Sequence, residues 1–186
     1  MIAAATLLLA TSLPPNTLSV GAGGCLCVSE EKHYENSIKY TGVGHVRLQY
    51  DRALFGALYV GATAAGEWIS SNERDARAGL LGGVIGLRAG NVIRGGVRLA
   101  VGGMYAYSFD ALERTPRNAN AFGWFVDTSA DVAVRLGKSA ELFLDLSIFN
   151  MRTLYNRDTS PWGKTSWFYV SPLLPTMATV GARFSF

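Results

Sequence analysis

The sequence has no apolar run long enough for a membrane-spanning helix. Beyond the first dozen residues its hydrophobic side chains, 49% of the chain, never approach the ~20 consecutive residues such a helix needs. Charge is sparse as well, at 17% with a net of +3, and the Lys and Arg residues form no run, so a nucleic-acid partner is not expected. Histidine and cysteine number two each, and they form no cluster with metal-ligand spacing. The Gly-x-Gly matches fall inside candidate strands rather than at a strand-to-helix turn, which excludes a phosphate loop; no cofactor is expected. Cys25 and Cys27 stand two apart, which on a strand puts them on one face; they are expected to be small wall residues without a mutual disulfide.

What the chain has in quantity is glycine, 21 residues, together with 11% aromatics. That mixture suits strands and tight turns better than helix interiors, which glycine weakens. At 186 residues there is room for one domain. The first twelve residues, MIAAATLLLATS, have the length of a secretory apolar segment, with Ala10-Thr11-Ser12 as a small-x-small cleavage signal. No Lys or Arg precedes that segment. The expected division is therefore a signal peptide over 1–12, atypical or incomplete, and one barrel domain over 13–186.

Period-two alternation dominates the remainder. From Trp124 to Leu136, Val126, Thr128, Ala130, Val132 and Val134 share a face with the two ends, while Phe125, Asp127, Ser129, Asp131 and Arg135 lie opposite. From Ala140 to Met151, Leu142, Leu144, Leu146 and Ile148 oppose Glu141, Phe143, Asp145, Ser147 and Phe149, with Asn150 on the apolar side. Ile93–Tyr107, Ile38–Tyr50, Leu54–Trp68 and the segment around Leu81–Arg88 repeat the pattern, and Thr17–Val28 and Thr176–Phe186 do so at the two ends. Asp51-Arg52, Gly90-Asn91 and Gly137-Lys138 read as hairpin-sized turns. Residues 29–37, 70–76, 109–120 and 153–175 read as longer connections, with Trp167–Val170 free to pair with the end of the preceding strand. Short and long connections alternate, which predicts an all-β, eight-stranded antiparallel up-and-down barrel with both termini beside the short turns.

Alternation alone does not say which face points inward. Aromatics on the apolar face fall into two groups, Tyr40, Trp68, Tyr105, Tyr107 and Trp124 near the long connections and Tyr50, Phe184 and Phe186 near the short ones. Two such girdles are expected of a membrane-spanning barrel rather than of a soluble core. The polar face carries Arg47, Arg88, Arg94, Arg98, Arg135 and Arg183 against Glu67, Asp127, Asp131, Glu141 and Asp145. Enclosed charges must pair, so these residues are the candidate lumenal ion-pair network. Gly82, Gly86, Gly96, Ala100 and Gly102 among them are expected to leave room for long arginines. Eight strands enclose an interior just filled by side chains, so no open pore is predicted.

The last strand, with Val180, Ala182, Phe184 and Phe186 on one face, resembles the C-terminal recognition signal of outer-membrane proteins. The plan as a whole resembles the small OmpA-like, OmpX-like and opacity-protein barrels. That resemblance implies a transmembrane barrel of a Gram-negative outer membrane, with the barrel-assembly machinery and outer-membrane lipid or lipopolysaccharide as partners and a structural or recognition role. Two alternatives are a narrow or gated channel, and a lipid A-modifying enzyme. Against the enzyme, a deacylase of the PagL type would carry a His-x-Ser-Asn arrangement. Here the histidines are His33 and His45, and neither fits; no catalytic or metal site is assigned. Tyr155, Trp162, Trp167 and Tyr169 are candidates for recognition of an extracellular partner, since loops on rigid scaffolds often carry binding.

Overall fold

The computed structural model describes residues 13–25, 29–33, 36–71, 76–107, 121–155, 164–170 and 177–186. Ten strand segments follow one another: β1 Asn16–Cys25, β2 Ser29–His33, β3 Asn36–Phe55, β4 Leu58–Ser71, β5 Ala76–Gly90, β6 Ile93–Tyr107, β7 Ala121–Arg135, β8 Ala140–Tyr155, β9 Lys164–Val170 and β10 Met177–Ser185. β1 and β2 both pair with β3, and β9 and β10 both pair with β8, so the ten segments make eight staves. All pairings are antiparallel. β1 also pairs with β10, from Thr17 opposite Ser185 to Gly24 opposite Ala178, and this seam closes the barrel. The Phe186 N–H donates to the Asn16 carbonyl at 3.1 Å, carrying the seam to the last residue. Closure removes the edge along β1 and β10, the usual liability of a sheet, while β2 pairs with β3 and β9 with β8.

The strands form where alternation is strongest, because a pleated ribbon sends successive side chains to opposite faces. β6 shows the result, with Arg94, Arg98, Ala100, Met104 and Ala106 buried and Ile93, Val97, Leu99, Val101 and Tyr107 exposed. The same sorting holds around the wall. Val46, Leu48, Leu81, Ile85, Val132, Val134, Leu142, Leu144 and Val180 point outward, while Arg47, Glu67, Arg88, Asp131, Glu141, Asp145 and Arg183 are buried inside. The outer face is thus mainly apolar, and the ion-pairing charges face in.

Four expectations are corrected. The first of the expected short turns is not at Asp51-Arg52. β3 continues to Phe55 and turns at Gly56-Ala57, where Gly56 has φ 54, a backbone conformation that a side chain penalises. Residues 29–37 are not a simple loop, since Ser29–His33 and Asn36–Tyr40 extend the first hairpin as a paired ladder. Cys25 is disulfide-bonded, and Cys27 is the chain's other cysteine. The one-face rule assumes an ideal strand through both cysteines, and β1 is described as far as Cys25. Lastly, β7 and β8 lose register at Thr128/Ser129: Thr128 faces Phe149 and Ser129 faces Ser147, which leaves Ile148 as an extra residue. Such a bulge reverses the side-chain parity beyond it. Asn150, expected on the outer face, is instead buried together with Arg152. The expected pairing of Trp167–Val170 with the preceding strand is present as β9 on β8. The signal-peptide segment 1–12, Trp162 and the connection 109–120 lie outside the described residues.

Candidate functional site

The lumen holds the chemistry of this chain, and it is organised by strand position. At the end with the short turns, Arg88 from β5 meets Asp51 from β3 at 3.2 Å. Beside them Arg94 pairs with Glu141, and Arg183 from β10 bridges Glu141 at 3.2 Å and Asp131 at 2.9 Å. Midway along, Asp145 receives Arg47 at 3.1 Å and Arg98 at 3.0 Å, and the Ser129 hydroxyl donates to the same carboxylate oxygen at 3.1 Å. Nearer the end with the long connections, Arg152 holds Glu67 and Asp127 together. Six arginines and six carboxylates take part in these pairs. A balanced, hydrogen-bonded set is what a low-dielectric enclosure demands, since an unpaired buried ion costs several kcal/mol, about 3–5.

Aromatic rings fill the remaining cross-section. Phe143 lies under both Arg47 and Arg183, with guanidinium carbons 5.8 and 5.2 Å from the ring centre. Tyr59 lies under Arg88 at 4.4 Å, and Phe125 under Arg152 at 5.5 Å. Such stacking suits the flat, weakly hydrated guanidinium better than it would a lysine. Of the glycines expected to make room for arginines, Gly82 and Gly86 stand against these rings, Gly96 against a carboxylate and Gly102 against the backbone of Leu81 and Gly82; Gly181, outside that expectation, also meets a ring. A Cβ on Gly82 would stand 2.8 Å from the Phe125 ring and one on Gly181 2.7 Å from Phe143. Gly86 likewise accommodates Tyr59, and Gly96 accommodates the Asp131 carboxylate. Beyond Arg152 the lumen turns apolar, with Val43, Ala78, Leu80, Met104, Ala106 and Met177 all buried. Leu80 and Val84, which blur the polar face of their strand, are therefore lumenal.

Of the residues predicted to pair, Arg47, Glu67, Arg88, Arg94, Arg98, Asp127, Asp131, Glu141, Asp145 and Arg183 all take part in ion pairs. Arg135 does not join them; it is half-buried at the turn end, and its guanidinium donates to the Lys138 carbonyl at 3.3 Å. Two members were not anticipated. Asp51 reads in the sequence as part of a turn, and Arg152 is brought inside by the bulge at Ile148. Gly56, in the turn before Leu58, is the available signal for the first. No local signal marks the second, because a bulge is decided by the fit between two strands.

His45 is buried, and its Nε2 lies 2.7 Å from the Thr179 hydroxyl across the seam region. With Arg98 and Arg152 it lines a cavity of about 20 Å³, room for a water molecule and not for a substrate. No group of three metal-binding side chains occurs among the described residues. Trp167 and Tyr169 stand on a paired strand opposite Arg152 and Asn150, and Tyr155 closes β8 opposite Lys164, so the backbone of these three is in the wall rather than in a free loop. Val180, Phe184 and Phe186 are exposed on the outer face of the seam, with Ala182 half-buried between them.

No family model matches the sequence, and no curated protein matches it. Among solved structures, the chain is similar to the crystal structure of Neisserial surface protein A, with a TM-score of 0.58 over 92% of this chain and 96% of that one. Identity is 8%. The likeness is one of fold: a small closed barrel of eight antiparallel staves.

Proposed function

We propose that this chain is an integral barrel of a Gram-negative outer membrane, a non-enzymatic envelope protein whose lumen is sealed and whose long connections face outward. One observation carries the reading: the outer wall has a charge-free belt of membrane thickness. On β5, Gly79, Leu81, Gly83, Ile85, Leu87 and Ala89 share the outer face, with Leu81, Ile85 and Leu87 exposed. From 79 to 89 a strand advances about 33 Å, which at a tilt of about 40° is about 25 Å along the barrel axis. That is the height of the apolar band of outer-membrane barrels. Outward-facing arginines stand only at its limits, Arg77 at one end and Arg52 at the other, among residues whose side chains are described. A soluble barrel with this surface would expose an apolar patch far beyond the few hundred Å² monomers tolerate.

The fold neighbour's name, a surface protein, agrees with this assignment. By the usual arrangement of such barrels, short turns and both termini lie on the periplasmic side. Val180, Ala182, Phe184 and Phe186 would then serve as the signal read by the barrel-assembly machinery, and Tyr155, Trp167 and Tyr169 would sit toward the exterior. A non-enzymatic role is favoured because His45 is turned into the lumen and bonded to Thr179, away from any lipid substrate. A sealed lumen is favoured over a channel because ion pairs at three levels and three aromatic rings occupy it.

The test is heat modifiability after refolding into detergent or vesicles. An unboiled sample should migrate as a compact species and a boiled one as an unfolded chain. Monodisperse, folded protein in plain buffer would overturn the membrane assignment. In planar bilayers the refolded protein should give a closed baseline; steady conductance would favour the channel.

A further inference from the structure

Among residues whose side chains are described, the outer wall carries two arginines that the lumenal network does not use, Arg77 and Arg52. Arg77, the second residue of β5, is exposed and points outward. It pairs across the sheet with Trp68 of β4 on one side and Tyr107 of β6 on the other. Cross-strand partners on one face hold their Cβ atoms about 4.5–5.5 Å apart, so the three form a row of indole, guanidinium and phenol. Trp68 and Tyr107 are themselves 45% and 51% exposed, leaving the row open to its surroundings. Tyr107 is held from below by Tyr105, edge to face at 4.5 Å, and Tyr105 in turn rests on Phe122 at 4.5 Å. None of the hydrogen bonds or ion pairs among the described residues involves Arg77.

Height decides what this row meets. Arg77 is two residues above Gly79, where the charge-free belt ends, so it lies about 5 Å beyond the hydrocarbon limit. That layer is occupied by lipid headgroups. A guanidinium there has two acceptable partners, water or an anionic oxygen, and its planar fork matches a phosphate in bidentate fashion. The flanking Trp and Tyr are amphipathic, with N–H and O–H tips able to donate to the same anion and ring bodies compatible with acyl chains. At the other limit of the belt Arg52 has no such row, its cross-strand partners being Val60 and Asn16.

We infer that Trp68, Arg77 and Tyr107 form an exterior docking site for the phosphate of an outer-leaflet lipid. The inference rests on the membrane reading above. Its test is native mass spectrometry of the refolded protein released from vesicles of phosphatidic acid and phosphatidylcholine in equal amounts. The wild-type barrel should retain phosphatidic acid preferentially. Arg77→Gln should reduce that preference about fivefold, Arg77→Lys should keep part of it, and Arg52→Gln should leave it unchanged. Equal retention by wild type and Arg77→Gln, or an equal loss in Arg52→Gln, would overturn the site. So would displacement of the lipid by excess inorganic phosphate, which would assign the arginine to free anions. Heat modifiability measured on the same samples separates the two readings: a wild-type chain that does not insert removes the membrane assignment, whereas one that inserts without headgroup preference removes only the docking site.

Discussion

Leu144 and Asp145 are neighbours in one strand, yet they live under opposite rules. Leu144 is 43% exposed on the outer wall with no specific partner to satisfy. Asp145 is almost fully buried and holds two arginines and a serine. The outer face is defined by a property, low polarity, which many side chains supply interchangeably. The inner face is defined by particular pairs, where length, charge and hydrogen-bond geometry must all agree. A single pleated sheet therefore carries one surface tolerant of sequence change and one that is not.

The largest effect should follow from emptying the centre of the inner face. Asp145→Leu leaves Arg47 and Arg98 without their shared carboxylate, an uncompensated burial expected to cost about 3–5 kcal/mol. The midpoint of urea unfolding, followed by the gel shift between folded and unfolded bands, measures it. A loss under about 1 kcal/mol would mean that water reaches these arginines and that the lumen is not sealed. One residue earlier, Leu144→Arg should cost about 2–4 kcal/mol in vesicles, because the charge would enter hydrocarbon near mid-wall. Leu144→Val should be nearly silent in the same assay. If Leu144→Arg were equally silent, the outer face would not be meeting lipid.

Glycines sharpen the contrast at a smaller scale. Gly181 faces the lumen, where an added Cβ would run into the Val20 carbonyl oxygen and stand 2.7 Å from the Phe143 ring, and Gly181→Val should cost about 1–3 kcal/mol through overpacking. Gly83, on the outer wall, has nothing within 4 Å of an added Cβ. Gly83→Val should be neutral or slightly stabilising, since a strand glycine gives up more backbone freedom than valine does. Equal costs at both positions would point to backbone conformation rather than lumenal packing as the reason for glycine.

The two faces were also unequally legible. The outer belt could be read from sequence because alternation is a local property, and Val132, Val134, Leu142 and Leu144 announce it residue by residue. The eight-stave closure followed from counting short and long connections. Pairing partners are out of reach, since that Arg183 bridges both Asp131 and Glu141 depends on barrel stagger rather than on spacing along a strand. Arg152 was hidden for the same reason at closer range: an extra residue at Ile148 turns it inward, and nothing in Ser147-Ile148-Phe149 announces the bulge. Asp51 was lost to turn-like composition, Asp-Arg before a run containing Gly56. Gly82 and Gly86 are legible as space, but sequence does not say that Phe125 and Tyr59 fill it.

The smallest effect should come from Arg135, which shares the inner-face parity of Arg94 and Arg183 but not their surroundings. It stands at the end of β7, half-buried, opposite Glu141 in register, while Glu141 is already engaged by Arg94 and Arg183. Its recorded bond goes to the Lys138 carbonyl in the adjoining turn. A partly solvated guanidinium bonded to a local carbonyl contributes little, so Arg135→Gln should shift stability by no more than about 0.5 kcal/mol. Arg94→Gln, which strips an enclosed partner from Glu141, should cost several times as much. The informative measurement is the double substitution. If Arg135 lies outside the network, its effect adds to that of Arg94→Gln unchanged; coupling above about 0.5 kcal/mol would show that it shares the Glu141 carboxylate. The inner face would then extend its exacting rules to the turn itself, and the boundary between the two regimes would lie at the membrane surface rather than at the last buried pair.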